Sequence, residues 1–219
     1  MTLTAKAEET RERILDAALR LFRERGFDET TMRDIAAEAE VATGAAYYYF
    51  RSKEELVVAF YVRTAEEARE IVPKILGRSG DLRKRLRALI DLKLKQFADD
   101  RRLLLAIARI GVDPSHSLSP FAKETEPMRS ESIDSFRQAV DGSDARISRD
   151  LQKDLPQLLW LYQMGILLYW IFDESPGQMR TLKLLDGTLD IVVRLIQISS
   201  LPLMGPLRKR LLSVVRAIS

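Results

Sequence analysis

Reactive side chains are scarce in this chain of 219 residues, and their spacing narrows the chemistry open to it. His116 is the only histidine and there is no cysteine, so nitrogen and sulfur ligands cannot assemble a zinc site within one chain. No metal or other cofactor is expected. The carboxylates fall at the i, i+4 spacing of exposed charge pairs and no catalytic pair stands apart from them, so the sequence does not read as an enzyme. The side chains that do concentrate in one stretch are Thr31, Arg33, Thr43, Tyr47, Tyr48, Tyr49 and Lys53, with Gly44 and Ala45 between them. Hydroxyls and cations of this kind bind phosphate oxygens and the edges of bases. Three consecutive tyrosines on one helix cannot all face a single core, so at least one hydroxyl must point outward.

Two short helices and the start of a third must position these groups. Thr31 stands three residues before Asp34, the spacing of a capping box, which predicts a helix from about Met32. Met32, Ile35, Ala36 and Ala39 then recur at helical spacing on one face. Glu40, Val41 and Ala42 leave room for a turn only. Thr43 to Phe50 makes a second short helix with Ala46 and Phe50 inward. Ser52 and Glu55 form another capping box, so a longer helix begins at Lys53. The pattern is a helix-turn-helix, whose second helix fits the DNA major groove.

The run Y-Y-Y-F-x-S-K-E-E-L over 47–56, preceded by T-T-x-R-D-I-A over 30–36, resembles the N-terminal signature of TetR-family transcriptional repressors. The motif-level resemblance covers about residues 10 to 60; beyond that the chain matches in length and all-helical pattern. Two positions depart from it. Many members carry Gly where this chain has Glu40, and a polar residue, often Ser, where it has Ala42. Alanine is a poor N-cap, by about 0.5–2 kcal/mol against serine, which leaves Thr43 two roles: cap or base contact. The resemblance and the geometry agree on Thr43, Gly44 and Tyr47 at base edges, with Arg33 reaching a base from the preceding helix. Thr31, Tyr48, Tyr49 and Lys53 are expected on phosphates, and Ala42 and Ala45 offer at most methyl contacts.

Charge adds little to this case. The formal net charge is +3 and the pI is near 9.1, yet from Met1 to Lys53 nine basic residues face ten acidic ones. The N-terminus lacks the apolar core of a signal peptide, and with no cysteine a reducing cytoplasm is the expected location.

Around the motif the periodicity predicts an all-α fold without useful strand-like alternation. A first helix over about 5–25 carries Ile14, Ala18, Leu21 and Phe22 on one stripe and ends at Gly26, with Phe27 folding back on it. The helix from Lys53 is expected to be interrupted at Pro73, with a kink there as the alternative. Asp81 caps a helix through Phe97, Leu103–Ile110 is a short helix, and 111–120 is a loop. Phe121 to Val140 is expected to be helical. Leu155 to Phe172 has no charge and nearly the length of a membrane span, but Gln157, Gln163 and its acidic flanks favour a helix buried in a soluble bundle.

That helix carries two apolar seams, one of which can face a partner; the resemblance implies dimerisation through the last two main helices. The expected interface is Leu158, Leu161 and Leu168 with Leu182, Leu185, Leu189, Val192 and Ile196. The resemblance also implies a cavity for a small inducer in the second half, for which Phe97, Phe121, Phe136, Trp160, Met164 and Trp170 are the candidate lining and a lipophilic molecule the expected ligand.

The domains expected are a three-helix helix-turn-helix head over 1–52, a larger helical ligand-binding and dimerisation domain over 53–200, and a basic amphipathic tail over 201–219. The function expected is a homodimeric regulator, a repressor that leaves a palindromic duplex operator on binding a small effector, with no membrane partner. A helical ligand carrier without DNA binding and a membrane-associated helical protein remain open as alternatives.

Overall fold

The computed structural model describes residues 5–111, 113 and 115–199, and the expected amphipathic tail over 201–219 lies outside them. Among the described residues all regular structure is helical. The helices are α1 (Ala5–Glu24), α2 (Met32–Glu38), α3 (Thr43–Tyr49), α4 (Lys53–Leu76), α5 (Leu82–Gln96), α6 (Arg101–Ile110), α7 (Glu126–Asp141), α8 (Arg149–Phe172) and α9 (Met179–Ser199). Single 3-10 turns at Ala98–Asp100 and Pro176–Gln178 lead into α6 and α9.

The chain forms two compact units. The first runs to Glu67 and takes in Gln96–Arg129; the second takes Ala68–Lys95 and the chain from Ser130 onward. The division by role expected at Lys53 therefore lies inside the first unit.

In the first unit the stripe predicted on α1 is buried throughout: Ile14, Leu15, Ala18, Leu19, Leu21 and Phe22 are at most 1% exposed. Each of the large side chains contributes roughly 1.5–3 kcal/mol by leaving water. The helix closes where Gly26 takes φ +97°, and its N–H donates to the Phe22 carbonyl at 3.1 Å. Phe27 then folds back on Phe22, with ring centroids 5.2 Å apart. Glycine supplies the left-handed residue such a closure needs. The end of α1 is also held from the far side of the sequence. Arg23 makes a two-pronged pair with buried Asp100 at 2.7 and 2.9 Å, and Arg102 donates to the Glu24 carbonyl at 2.9 Å.

Two predicted boundaries move. Helix α4 runs through Pro73 to Leu76 and does not stop there. Val72 and Leu76 are both 3% exposed, and their burial together matches the cost of about 3 kcal/mol of a proline inside a helix. Helix α7 begins at Glu126, and residues 121–125 are turns, not helix. Buried Thr125 donates its hydroxyl to the Ser119 carbonyl at 2.7 Å, and Arg129 donates to the Pro120 carbonyl at 2.7 Å. Side chains thus satisfy the backbone that a longer helix would have satisfied.

In the second unit Asp81 caps α5 as predicted, accepting from the Lys84 N–H at 2.8 Å. One turn further on lies Arg85, a buried guanidinium that meets carbonyl oxygens. It donates to Leu76 at 2.6 Å, Ser79 at 3.0 Å, Gln138 at 2.8 Å and Ala139 at 2.8 Å. Leu76, Gln138 and Ala139 belong to the last turns of α4 and α7, where carbonyls lack helical partners and the helix dipole is negative. Gly142 makes room for this: a Cβ there would stand 2.5 Å from the Arg85 Nη2.

Helix α8 is long and apolar enough to cross a membrane by length and composition. Its Leu151, Leu155, Leu159, Trp160, Ile166 and Trp170 are nevertheless buried inside the unit, as the core-helix reading expects. Between α8 and α9 sits Asp173, 4% exposed. One carboxylate oxygen accepts from the Ser175 N–H and hydroxyl at 2.9 and 2.7 Å, the other from the Thr181 N–H and hydroxyl at 2.8 and 2.7 Å. Burial alone would raise its pKa, but these four donors outweigh that and hold the carboxyl well below the ordinary range.

Arg85→Leu leaves the carbonyls at the ends of α4 and α7 buried without their donor. Denaturant unfolding should show a loss of about 3 kcal/mol or more. A change under about 1 kcal/mol would show that the junction does not depend on this side chain.

Candidate nucleic-acid interface

The expected head is built on two helix caps. Thr31 and Asp34 form a complete capping box. The Thr31 N–H donates to the Asp34 carboxylate at 2.9 Å, and the Asp34 N–H donates to the Thr31 hydroxyl at 3.2 Å. The Thr31 hydroxyl donates to the same carboxylate at 2.5 Å. These bonds hold the Asp34 carboxyl below its usual value. At the start of α4 the second box is modified. Ser52 accepts from the Glu55 N–H at 3.3 Å, while Glu55 reaches back to the Arg51 N–H at 2.8 Å.

The turn between α2 and α3 explains a departure seen in the sequence. The Val41 N–H donates to the Ala36 carbonyl at 2.9 Å and the Glu40 N–H to Ala37 at 3.1 Å. This pair of bonds is a Schellman closure, which requires its middle residue in the left-handed region. Glu40 occupies that position with φ +53°, where glycine carries no steric cost. Ala42 is the N-cap of α3 and makes no side-chain cap bond. Thr43 is the first helical residue, so the cap role held open for it is not the one it takes.

Helix α3 is anchored by Ala46 at 0% and Phe50 at 2% exposure, and the Arg11 guanidinium lies over the Phe50 ring at 5.0 Å. Thr43, Gly44, Tyr47 and Tyr48 are exposed, and Ala45 and Tyr49 are half-buried. Tyr48 is 77% exposed and packs edge-on against Tyr49 with centroids 5.2 Å apart. A Cβ on Gly44 would meet nothing within 4 Å. Thr31 and Arg33 are exposed on α2 and its cap. One expected phosphate contact is placed otherwise. The Lys53 ammonium donates to the Phe27 carbonyl at 2.6 Å and stands over the Phe27 ring at 4.5 Å, so it is turned into the head.

The candidate ligand residues are not brought to one place. Phe97 packs against Phe60 and Tyr61 in the first unit, at 5.8 and 6.3 Å between centroids. Phe121, on a turn, is more than half exposed and so lines no interior. Phe136, Trp160 and Trp170 are buried in the second unit and Met164 is half-buried.

Part of the expected interface is corrected as well. Leu185, Leu189 and Ile196 are buried within their own unit and have no surface left for a partner. Leu158, Leu161, Leu182 and Val192 are half-buried and Leu168 is exposed. The large apolar side chains facing out of α8 and α9 are Leu168, Tyr169, Phe172, Met179, Ile191, Leu195 and Ile198. On α9 none of them is a residue of the predicted seam.

Sequence reading missed Arg85, Asp100 and Asp173. Asp173 had a local signal, the Asp-x-Ser spacing of a side-chain turn. Arg85 and Asp100 had none, because each depends on groups far along the chain: Arg85 on the Gln138 and Ala139 carbonyls, 53 and 54 residues away, and Asp100 on Arg23, 77 residues away.

Glu40→Gly relieves the left-handed residue without touching the exposed face of α3. Thermal or denaturant unfolding should find the variant more stable by roughly 1 kcal/mol. An unchanged or lower stability would mean that the Glu40 side chain compensates the strain.

Comparison with known proteins agrees with this geometry. The family described as bacterial regulatory proteins, tetR family, matches residues 14–60. The tetracyclin repressor-like C-terminal domain matches residues 85–211. Among curated relatives, the nicotine-responsive transcriptional repressor HdnoR of Paenarthrobacter nicotinovorans is 29% identical over 102 residues, 47% of this chain and 53% of that one. The transcriptional regulator TtgR of Pseudomonas putida is 50% identical over 54 residues, 25% of this chain and 26% of that one. The chain thus matches about half or less of the length of these relatives. A TetR-family regulator from Pectobacterium atrosepticum has a similar fold at 22% identity, with a TM-score of 0.68 over 90% of this chain and 98% of that one. FadR of Thermus thermophilus, solved with lauroyl-CoA, is 28% identical with a TM-score of 0.57 over 80% and 92%. The C-terminal match alone takes in more than half of the chain, and with the match over the helix-turn-helix it makes this protein a member of the TetR family of bacterial regulators.

Proposed function

We infer that the protein is a DNA-binding transcriptional regulator, a repressor whose hold on its operator is relieved by a small molecule. The observation that carries this is the two-sidedness of α3: Ala46 and Phe50 are buried while Thr43, Gly44, Tyr47 and Tyr48 stand exposed. A helix of seven residues held by one side presents the other to a groove. Thr43, Gly44 and Tyr47 meet base edges, and Arg33 pairs with a base, guanine being the one that accepts a bidentate arginine. Thr31, Tyr48 and Tyr49 meet phosphates, Tyr48 being the more open of the two tyrosines. Residues 1–52 carry this role and 53–200 the ligand and dimer roles. Such a regulator works in the cytoplasm, where its DNA is.

The protein acts as a homodimer, since a two-fold pair of heads reads a palindromic site. The surface that supports this is the outward row on α8 and α9, Leu168 and Phe172 with Ile191, Leu195 and Ile198. Gly165 and Gly187 lie among these side chains with open space at their Cβ positions. The effector is a small lipophilic molecule. Support comes from a relative named as nicotine-responsive and from a structural neighbour holding lauroyl-CoA. Such a ligand relieves repression only if it binds one conformation of the dimer better than the other.

Gly44→Ala separates folding from DNA contact. Alanine in an exposed helix position should raise stability by up to about 1 kcal/mol, while the added methyl weakens operator binding measured by fluorescence anisotropy. Tighter binding by the variant would count against close approach at Gly44.

The dimer surface is tested by contrast. Leu195→Arg should stay folded by circular dichroism but run as a monomer in light scattering. Leu189→Arg places an unpaired charge in the chain's own core and should unfold it. A folded dimer in the first case would remove the α8–α9 face from the account.

A further inference from the structure

The first residue of α4 places a positive charge against the joint between α1 and α2, and it faces inward. The Lys53 Nζ lies 2.6 Å from the Phe27 carbonyl oxygen and 3.4 Å from that of Asp28. It also stands 4.5 Å above the Phe27 ring, which is 5% exposed. An ammonium has three N–H donors. Here two point at backbone carbonyls and the group rests on the electron-rich face of an aromatic ring. The backbone so held is that of Phe27 and Asp28. Thr30 adds a second tie, its hydroxyl donating to the Gly26 carbonyl at 2.7 Å. Thr31 then opens α2, on which Arg33 stands two residues later.

We propose that Lys53 is a positioning residue. Its ammonium ties the Phe27–Asp28 backbone to the start of α4 and so sets where α2 and Arg33 stand against the bases; it does not neutralise an operator phosphate. The proposal rests on the DNA-binding reading above and refines it. A phosphate contact contributes to every sequence alike and adds to the salt dependence of binding. A positioning tie does neither; its loss lets the Arg33 side chain wander and blurs the choice of base.

Lys53→Met tests this in the full-length protein, because methionine keeps an unbranched stem on Phe27 and removes only the ammonium. Three quantities are read: the unfolding midpoint, the slope of log K against log salt on a scrambled duplex, and the ratio of operator to scrambled affinity. The expected result is a lower midpoint, an unchanged slope, and an operator preference reduced roughly fivefold or more. A slope smaller by about 0.9 with the preference intact would make Lys53 a phosphate contact and overturn the proposal. A lower midpoint with slope and preference both unchanged would reduce it to a purely structural tie, and would also overturn it.

Phe27→Leu is the second variant should Lys53→Met fold poorly. It keeps the charge and removes the ring beneath it, so preference should fall while the slope holds; retained preference contradicts the proposal. Wild-type protein with no salt-dependent affinity for any duplex would instead remove the DNA-binding reading itself.

Discussion

A helix of two turns does not hold itself in water, and α3 is only seven residues long. Its orientation is borrowed from Ala46, from Phe50 at its C-terminal end, and from the Arg11 guanidinium over the Phe50 ring. With so small an anchor, the surrounding caps must fix the angle at which α3 leaves the head. The Thr31–Asp34 box starts α2, the Schellman closure at Glu40 ends it, and Ser52 with Glu55 starts α4. What α3 presents to solvent follows from this arrangement: Thr43, Gly44, Tyr47 and Tyr48 are left open.

Charged groups are buried in both units, and each is balanced locally. Asp100 pairs with Arg23 inside the first unit. In the second, Asp173 is held by Ser175 and Thr181. Arg85 is balanced differently, by the carbonyl ends of two helices, which place several partial negative charges around a delocalised cation. A buried charge with its partner removed is costly, so these three sites resist drift in the helices they join. The exposed pairs of Arg83 and Arg87 with Asp186 and Asp190 tie α5 to α9, but in water such pairs contribute little.

Much of the head was legible in the sequence because its signals are local. The capping boxes, the i, i+3, i+4 spacing of Met32, Ile35 and Ala36, and the glycine after α1 all act within a few residues, and each appears where it was read, except that Glu55 reaches back to the Arg51 N–H and not to that of Ser52. Glu40 was visible as a departure, but its meaning needed the backbone angle. The second half was legible only as helices. On α9 the stripe Leu185, Leu189 and Ile196 and the row Ile191, Leu195 and Ile198 have similar spacing, and periodicity cannot tell the inward face of a helix from an outward apolar one. The Lys53 amine illustrates the same limit at a single residue. A lysine at a helix start beside a DNA-facing motif reads as a phosphate ligand, and only the proximity of Phe27, 26 residues earlier, turns it inward.

The central claim is that the exposed face of α3, carried twice in a symmetric dimer, reads a palindromic duplex. It is tested most directly by incubating the full-length protein with a library of random duplexes, sequencing those it retains, and repeating the selection at rising salt. The account predicts enrichment of two half-sites related by two-fold symmetry, with retention that falls steeply as salt increases. A retained pool with no enriched sequence, or retention indifferent to salt, would contradict it.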